Sequence, residues 1–347
     1  MRILQIGAGS MGTRRLRDLR ACEGVEVTLF DQRADRRAAA ASRFGVATTA
    51  SLDEAMATEP DALVISTPPD QHTDYVRLAL DTGRHFFCEA DIWAFDPRAV
   101  AAANARRPAG GLVAAPSCTL YFHPFVQELR RVVREELGTL HAYGYVLSVN
   151  APSWHPGEGA EYYARHRATA PAREMVPFEL IALDHIFGTP VAASGRVVRR
   201  GGLDLPGADS WSLQMELASG ATGQLTVVMA SPQTARQGWA IGDRGFIRFD
   251  LLTGTLERAL PDLGDGYSRV LCDWQQEYEP MYAKEISAFL AAVRGEAAWP
   301  YSYDSAAVVC GTLAAAELSM LTGRTETVDP DRQPAALPDA YAVSSAP

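Results

Sequence analysis

Residues 2–12, RILQIGAGSMG, carry an apolar run, Ile3-Leu4-Gln5-Ile6, straight into glycines spaced G-x-G-x-x-G at Gly7, Gly9 and Gly12. A helical pattern with Leu16 and Leu19 follows. Strand, glycine turn and helix in that order constrain the fold more than anything else in the 347 residues. The first glycine permits a tight turn, the second lets a pyrophosphate approach the backbone, and the third lets the helix pack close to its strand. Free N–H groups at the helix N-terminus, where Ser10 and Met11 stand, would then face the phosphates. A second strand, Val25 to Phe30, ends in Asp31, 19 positions after Gly12 and placed to bond an adenosine ribose. A carboxylate there repels a 2′-phosphate, which favours NAD(H) over NADP(H). Arg33 and Arg14 oppose that preference, because either could pair with the phosphate.

The alternation continues beyond the loop. Asp61–Ser66 and His85–Cys88 read as buried strands, Gln71–Leu80 and Pro97–Asn104 as helices, and Gly111–Ala115 as a last short strand. Asp96 caps the second helix, with Pro97 at its first position. Such βαβ alternation predicts a doubly wound parallel sheet whose ligand crevice lies at the carboxyl ends of its strands. Gly7–Gly12, Asp31, Ser66-Thr67-Pro68 and Glu89 all fall at those ends.

After about residue 120 the pattern changes. Within Asp209–Ser231, Trp211, Leu213, Met215 and Leu217 alternate with Ser212, Gln214 and Glu216. Thr139–Asn150, Val191–Arg200 and Phe246–Phe249 also read as strands, and Tyr282–Val293 and Ala306–Leu321 as helices. Strand following strand implies a large, mostly antiparallel open sheet in an α+β domain. The expected division is a Rossmann domain over 1–120, a substrate and oligomerisation domain over 121–330, and a weakly ordered Pro/Ala-rich tail over 331–347.

A net charge of −10, with no basic cluster interleaved with aromatics, argues against nucleic-acid binding. No apolar stretch reads as a membrane span. The five cysteines, at 22, 88, 118, 272 and 310, show no metal-like or paired spacing. No metal is expected, and the chain reads as a cytoplasmic protein with reduced thiols.

By these residues the chain resembles the glucose–fructose oxidoreductase / inositol dehydrogenase / rhizopine-catabolism oxidoreductases. The resemblance rests on GAGSMG, on ISTPPDQHTDYVRLALDTGRHFFCEA at 65–90, on SWHPGEGAEYY at 153–163, and on MYAKEISAFLAAVRGE with the terminal helix and LTGR. It implies that Ser66, Thr67 and Pro68 line a dinucleotide, that His72 opens the next helix near it, and that Glu89 stands at the nicotinamide end. It also implies a polyhydroxylated small-molecule substrate and a homodimer or homotetramer formed through the C-terminal sheet.

The chain departs from that family where the chemistry is expected. The family's Glu-Lys-Pro is here Glu89-Ala90-Asp91, and the whole chain holds one lysine, Lys284. Counting back from Gly188-Thr189-Pro190 puts Phe178 at the position of the family's acid/base histidine and Ile181 at that of the following aspartate. Asp184 and His185 lie further on and read as cap or surface residues.

Hydride transfer needs a group that accepts or supplies the alcohol proton. The remaining candidates are Glu89, Asp91, His155, Tyr163, Glu174 and Glu179, of which Glu179, His155 and Tyr163 form the expected relocated acid/base set. The function expected is NAD(P)-dependent oxidation or reduction of a sugar, nucleotide-linked sugar or cyclitol. The alternatives are a catalytically silent dinucleotide-binding sensor or an epimerase or eliminase that retains its NAD.

Overall fold

The computed structural model describes residues 1–90, 96–105, 111–150, 171–198, 208–260, 267–270, 273–332 and 334. The chain divides into two compact units, one of residues 1–119 with 279–307, the other of 120–278 with 308–347.

The first unit holds β1 (Arg2–Ile6), α1 (Ser10–Arg20), β2 (Glu26–Phe30), α2 (Ala34–Phe44), β3 (Ala47–Thr49), α3 (Leu52–Ala57), β4 (Ala62–Ile65), α4 (His72–Asp81), β5 (His85–Cys88), α5 (Pro97–Ala105) and β6 (Ala114–Pro116). The strands form one parallel sheet in the order β3-β2-β1-β4-β5-β6. The strand order reverses between β1 and β4, so the ligand crevice of a doubly wound sheet falls between their carboxyl ends. Alternate residues of β1 enter opposite faces. Ile3 packs with Leu16, Leu19, Val27 and Phe87, while Leu4 and Ile6 pack with Phe30, Leu63, Ile65 and Phe86. The first turn of α5 is closed by the Asp96 carbonyl, which accepts the Ala99 N–H at 3.0 Å.

The second unit holds α6 (Pro124–Glu135), β7 (Leu140–Asn150), α7 (Pro171–Phe187), β8 (Pro190–Val198), β9 (Ser210–Leu217), β10 (Thr222–Val228), β11 (Ala230–Gly242), β12 (Gly245–Asp250), β13 (Thr255–Ala259) and β14 (Tyr267–Val270). Beyond these come α8 (Trp274–Val293), α9 (Tyr303–Thr322) and β15 (Glu326–Thr327). The described strands form a sheet in the order β14-β13-β12-β11-β7-β10-β9-β8-β15, antiparallel except where β7 runs beside β10. The period of two in β9 is a burial pattern. Trp211, Leu213, Met215 and Leu217 are buried, and Ser212, Gln214 and Glu216 are exposed. α7 lies on β9 and β10, and α6 lies on α7. The long strand β11 escapes sequence reading because its pairing with β7 shifts register between Ala230 and Ala235, which breaks the alternation.

Two expectations change. The second domain is not one contiguous block over 121–330, since residues 279–307 belong to the first unit. The reason is packing: Ile286, Phe289 and Leu290 of α8 join the core cluster of Ile3 and Leu16. The chain also contains a helix long and apolar enough for a membrane span, α9, with a mean hydropathy of 1.5 over its best window. Two-thirds of that window (67%) is buried inside the fold, the mark of a core helix built from small residues. The part of the expected tail from 335 onward lies outside the described residues.

Candidate active site

β1 ends at Ile6, and the chain turns at Gly7, where φ is +88°. A Cβ at Gly7 would stand 2.7 Å from the Ser66 carbonyl oxygen, so the loops after β1 and β4 meet here with no room for a side chain. A Cβ on Gly12 would collide with the Gly7 carbonyl oxygen. Gly9 differs from both. The nearest atom to its Cβ position is Arg36 Nη1 at 3.6 Å, and the space above its backbone is otherwise open. Gly9 caps α1 without a side-chain acceptor, and the first turn carries no acidic residue. The N–H groups of Ser10, Met11 and Gly12 therefore end the helix without an internal carboxylate, at the positive end of its dipole. The two outer glycines close the loop and the middle one leaves a seat for an anion, so these residues fit a dinucleotide pyrophosphate. Buried Gln5 braces the turn from below, its Nε2 donating to the Gly7 carbonyl at 3.0 Å.

Asp31 is buried at the end of β2. Its Oδ2 accepts the Ala8 N–H at 2.7 Å and its Oδ1 the Arg33 N–H at 2.8 Å. The acid expected at the ribose thus also ties the glycine loop to the start of α2. Neither arginine considered as a phosphate partner points to it. Arg33 forks onto exposed Asp35, at 3.1 and 2.6 Å, and holds that carboxyl down to about 2. Arg14 forks onto Glu279, at 3.1 and 2.9 Å, and lies over the Tyr282 ring.

At the ends of β4 and β5, Ser66 and Glu89 stand side by side, with the Ser66 hydroxyl 3.4 Å from Glu89 Oε1. Thr67 and Pro68 continue the loop, and buried His72 braces it, its Nε2 lying 2.8 Å from the Thr67 carbonyl oxygen. His72 opens α4 as expected and supports the loop that was expected to line the dinucleotide. Glu89 is gripped by Arg15 of α1, Nε to Oε1 at 2.6 Å and Nη2 to Oε2 at 3.1 Å. Arg15 also donates to Glu285 at 2.7 Å. Burial acts to lower the Arg15 pKa, but Glu89 and Glu285 outweigh it, and the guanidinium stays charged. Sequence reading missed Gln5, Arg15 and Glu285, and a polar residue at an apolar position, of a strand for Gln5 and of a helix for the other two, is the local signal for them.

Within the second unit the helix expected to carry the acid/base is α7. Glu179 is buried, its Oε1 accepting from Arg236 and its Oε2 from Tyr145 Oη at 2.8 Å. Both carboxylate oxygens are thus engaged, and Glu179 is placed as a counter-ion to Arg236. Burial, joined by the Glu179 charge, pushes the Tyr145 pKa well up. Arg236 also lies 5.6 Å from the Phe178 ring centroid and 5.3 Å from that of Trp274. Asp184, near the end of α7, bonds Thr189 beyond the helix. His185 is half-buried and stacks on Tyr121, with centroids 3.7 Å apart. His155, Tyr163 and Asp91 lie outside the described residues.

Residues 1–93 match a family described as an oxidoreductase family with an NAD-binding Rossmann fold. The chain is 32% identical over 144 residues to the 4-carboxy-2-hydroxymuconate-6-semialdehyde dehydrogenase of Sphingobium sp., covering 40% of this chain but only 44% of that relative. It is 23% identical over 325 residues to inositol 2-dehydrogenase 3 of Saccharopolyspora erythraea, covering 90% and 91% of the two chains. The fold is shared with the crystal structure of GenD2 from gentamicin A biosynthesis in complex with NAD, with a TM-score of 0.79 and 22% identity over 95% of this chain and 96% of that one.

Proposed function

We propose that this chain, whose residues 1–93 match the oxidoreductase family model, is a member of the Gfo/Idh/MocA family and transfers hydride between NAD(P) and a hydroxyl or ketone of a sugar, nucleotide-linked sugar or cyclitol. The observation that carries the reading is the glycine loop, closed at Gly7 and Gly12 and open at Gly9. The likeness to an inositol dehydrogenase over nine-tenths of both chains supports the substrate class.

The first-turn amides of α1 would hold the pyrophosphate, and Asp31 the adenosine ribose. Bound there, the nicotinamide ring supplies the carbon that takes or gives the hydride. Glu89 is pre-oriented by its two bonds to Arg15, so that end of the site is rigid before any ligand arrives. The alcohol proton needs its own acceptor. Ala90 cannot supply one, and Glu179 is committed to Arg236 and Tyr145. We assign that role to His155 or Tyr163.

Two tests decide the reading. Mass spectrometry of the small molecules released on denaturing the purified protein should find NAD(H) or NADP(H). Purified protein should then reduce added NAD⁺ with a member of a panel of inositols, aldoses and nucleotide sugars. A second reading, a dinucleotide-binding protein without turnover, is favoured by Ala90 and Phe178 at the family's two catalytic positions. Tight NADH binding with no turnover across the panel would select it.

A further inference from the structure

Arg236 sits on β11 opposite buried Leu147 of β7, on the sheet face that α7 covers. A strand position facing a helix ordinarily takes an apolar residue. Here it carries a guanidinium with 9% of its side chain exposed. The group stands 5.6 Å from the Phe178 ring centroid and 5.3 Å from that of Trp274, and Trp274 is itself stacked on His123 at 4.2 Å. All of these residues belong to the second unit. They surround the position of α7 at which the family's acid/base histidine is expected and Phe178 is found.

The guanidinium is only partly satisfied. Its Nη2 donates to Glu179 Oε1, but its Nε is buried with no acceptor. A buried donor without a partner is costly and calls for an explanation. Support of the fold does not supply one, since a buried ion pair is often no more stabilising than apolar residues of the same volume. Glu179 does explain how the cation is kept ready. It fixes one side of the guanidinium plane, and its charge outweighs the burial that acts to lower the Arg236 pKa. The Glu179 charge is in turn shared with the Tyr145 hydroxyl, which donates to Oε2 at 2.8 Å.

A carboxylate presents two coplanar oxygens that match adjacent guanidinium N–H groups, whereas a hydroxyl presents one. Aromatic rings on two sides of the cation keep water from screening that attraction. We infer that Arg236 is a substrate-recognition residue and that the substrate is a sugar acid, whose carboxylate accepts from the Nε side of the guanidinium. The inference rests on the hydride-transfer reading and narrows its substrate class from neutral polyols to acidic ones.

The test is calorimetric titration of NADH-saturated protein with acid and neutral sugars of the same ring: D-glucuronate against D-glucose, and D-galacturonate against D-galactose. Wild type should bind an acid ~10-fold or more tightly than its neutral partner, the size of a charge-assisted bond. Arg236→Lys keeps the charge without the fork and should retain part of that preference. The double variant Arg236→Gln with Glu179→Gln leaves no buried ion unpaired. It should lose the preference for acids while its NADH affinity and melting temperature stay near those of wild type. Equal binding of acids and neutral sugars by wild type overturns the inference, as does binding of neither, or a double variant that still prefers acids. Turnover of neutral sugars alone would overturn it and leave the hydride-transfer reading standing. A wild-type protein that binds no NADH overturns both.

Discussion

Arg15 and Glu285, 270 positions apart in the chain, meet at 2.7 Å with neither side chain exposed to solvent. Glu285 is saturated by its surroundings. It also accepts from the Ser117 hydroxyl at 2.9 Å, the Cys118 N–H at 2.7 Å and the Thr119 hydroxyl at 2.7 Å. One buried carboxylate thus ties α1, α8 and the end of β6 together, and through Arg15 it fixes Glu89 at the crevice.

Replacing Arg15 with Met leaves Glu89 and Glu285 as neighbouring anions with no cation between them. Removing one partner of a buried pair costs about 3–5 kcal/mol, and stability to denaturant should fall by that much. A double substitution, Arg15→Met with Glu285→Gln, should recover part of the loss. If the single variant melts like wild type, the pair is not holding these elements together.

At Gly9 the expectation concerns binding and leaves the fold untouched. A valine there puts carbon where the pyrophosphate would rest, while its backbone, at φ −68° and ψ −163°, suits any residue. Affinity for NADH should drop ~10²-fold, about 2.7 kcal/mol, with an unchanged melting temperature. Gly12→Ala should behave oppositely and lose stability, because its methyl group meets the Gly7 carbonyl. Superimposable NADH titrations for wild type and Gly9→Val would remove the loop from the site.

For Asp31→Ser, two effects separate. The substitution removes the charge that repels a 2′-phosphate, so preference should move toward NADPH by ~1–3 kcal/mol. It also frees the Ala8 and Arg33 N–H groups from their acceptor, so NADH binding should weaken in absolute terms. The ratio of the two dissociation constants is the measurement. A wild-type protein that already prefers NADPH would mean that Asp31 does not decide the choice.

Glu179→Gln distinguishes a structural counter-ion from an acid/base. The glutamine can still accept from Tyr145, but buried Arg236 loses its counter-charge, and stability should fall by about 3 kcal/mol. The pH dependence of turnover should keep its shape. A variant of wild-type stability whose pH–rate profile loses one limb would restore Glu179 to the catalytic role its position beside Phe178 suggests.

His185 makes stability sensitive to acid. Burial, with the positive charges of Arg130 and Arg134, pushes its pKa down from 6.5 to about 4. Between those values the unfolded chain binds the proton and the folded one does not. The contribution is therefore complete above about pH 6.5 and is lost as pH falls toward about 4. Denaturant midpoints across that range should decline more steeply for wild type than for His185→Phe. Parallel curves would show that other groups set the acid limb.

Sequence alone determined the local architecture. The run of apolar β1 into Gly7, Gly9 and Gly12 dictated a parallel doubly wound sheet and an anion seat at α1, since each glycine answers a steric need within a few residues. The period of two from Trp211 to Leu217 likewise dictated a half-buried strand, because side chains alternate across a sheet. Only the tertiary structure decided that α8 packs into the first unit, that Arg15 and Glu285 clamp Glu89, that Glu179 is matched to Arg236, and that Arg36 faces the glycine loop. These facts join residues far apart in the chain, or choose among neighbouring arginines by the direction of a side chain. A buried charge finds its partner through packing, and no periodicity in the sequence records which partner that is.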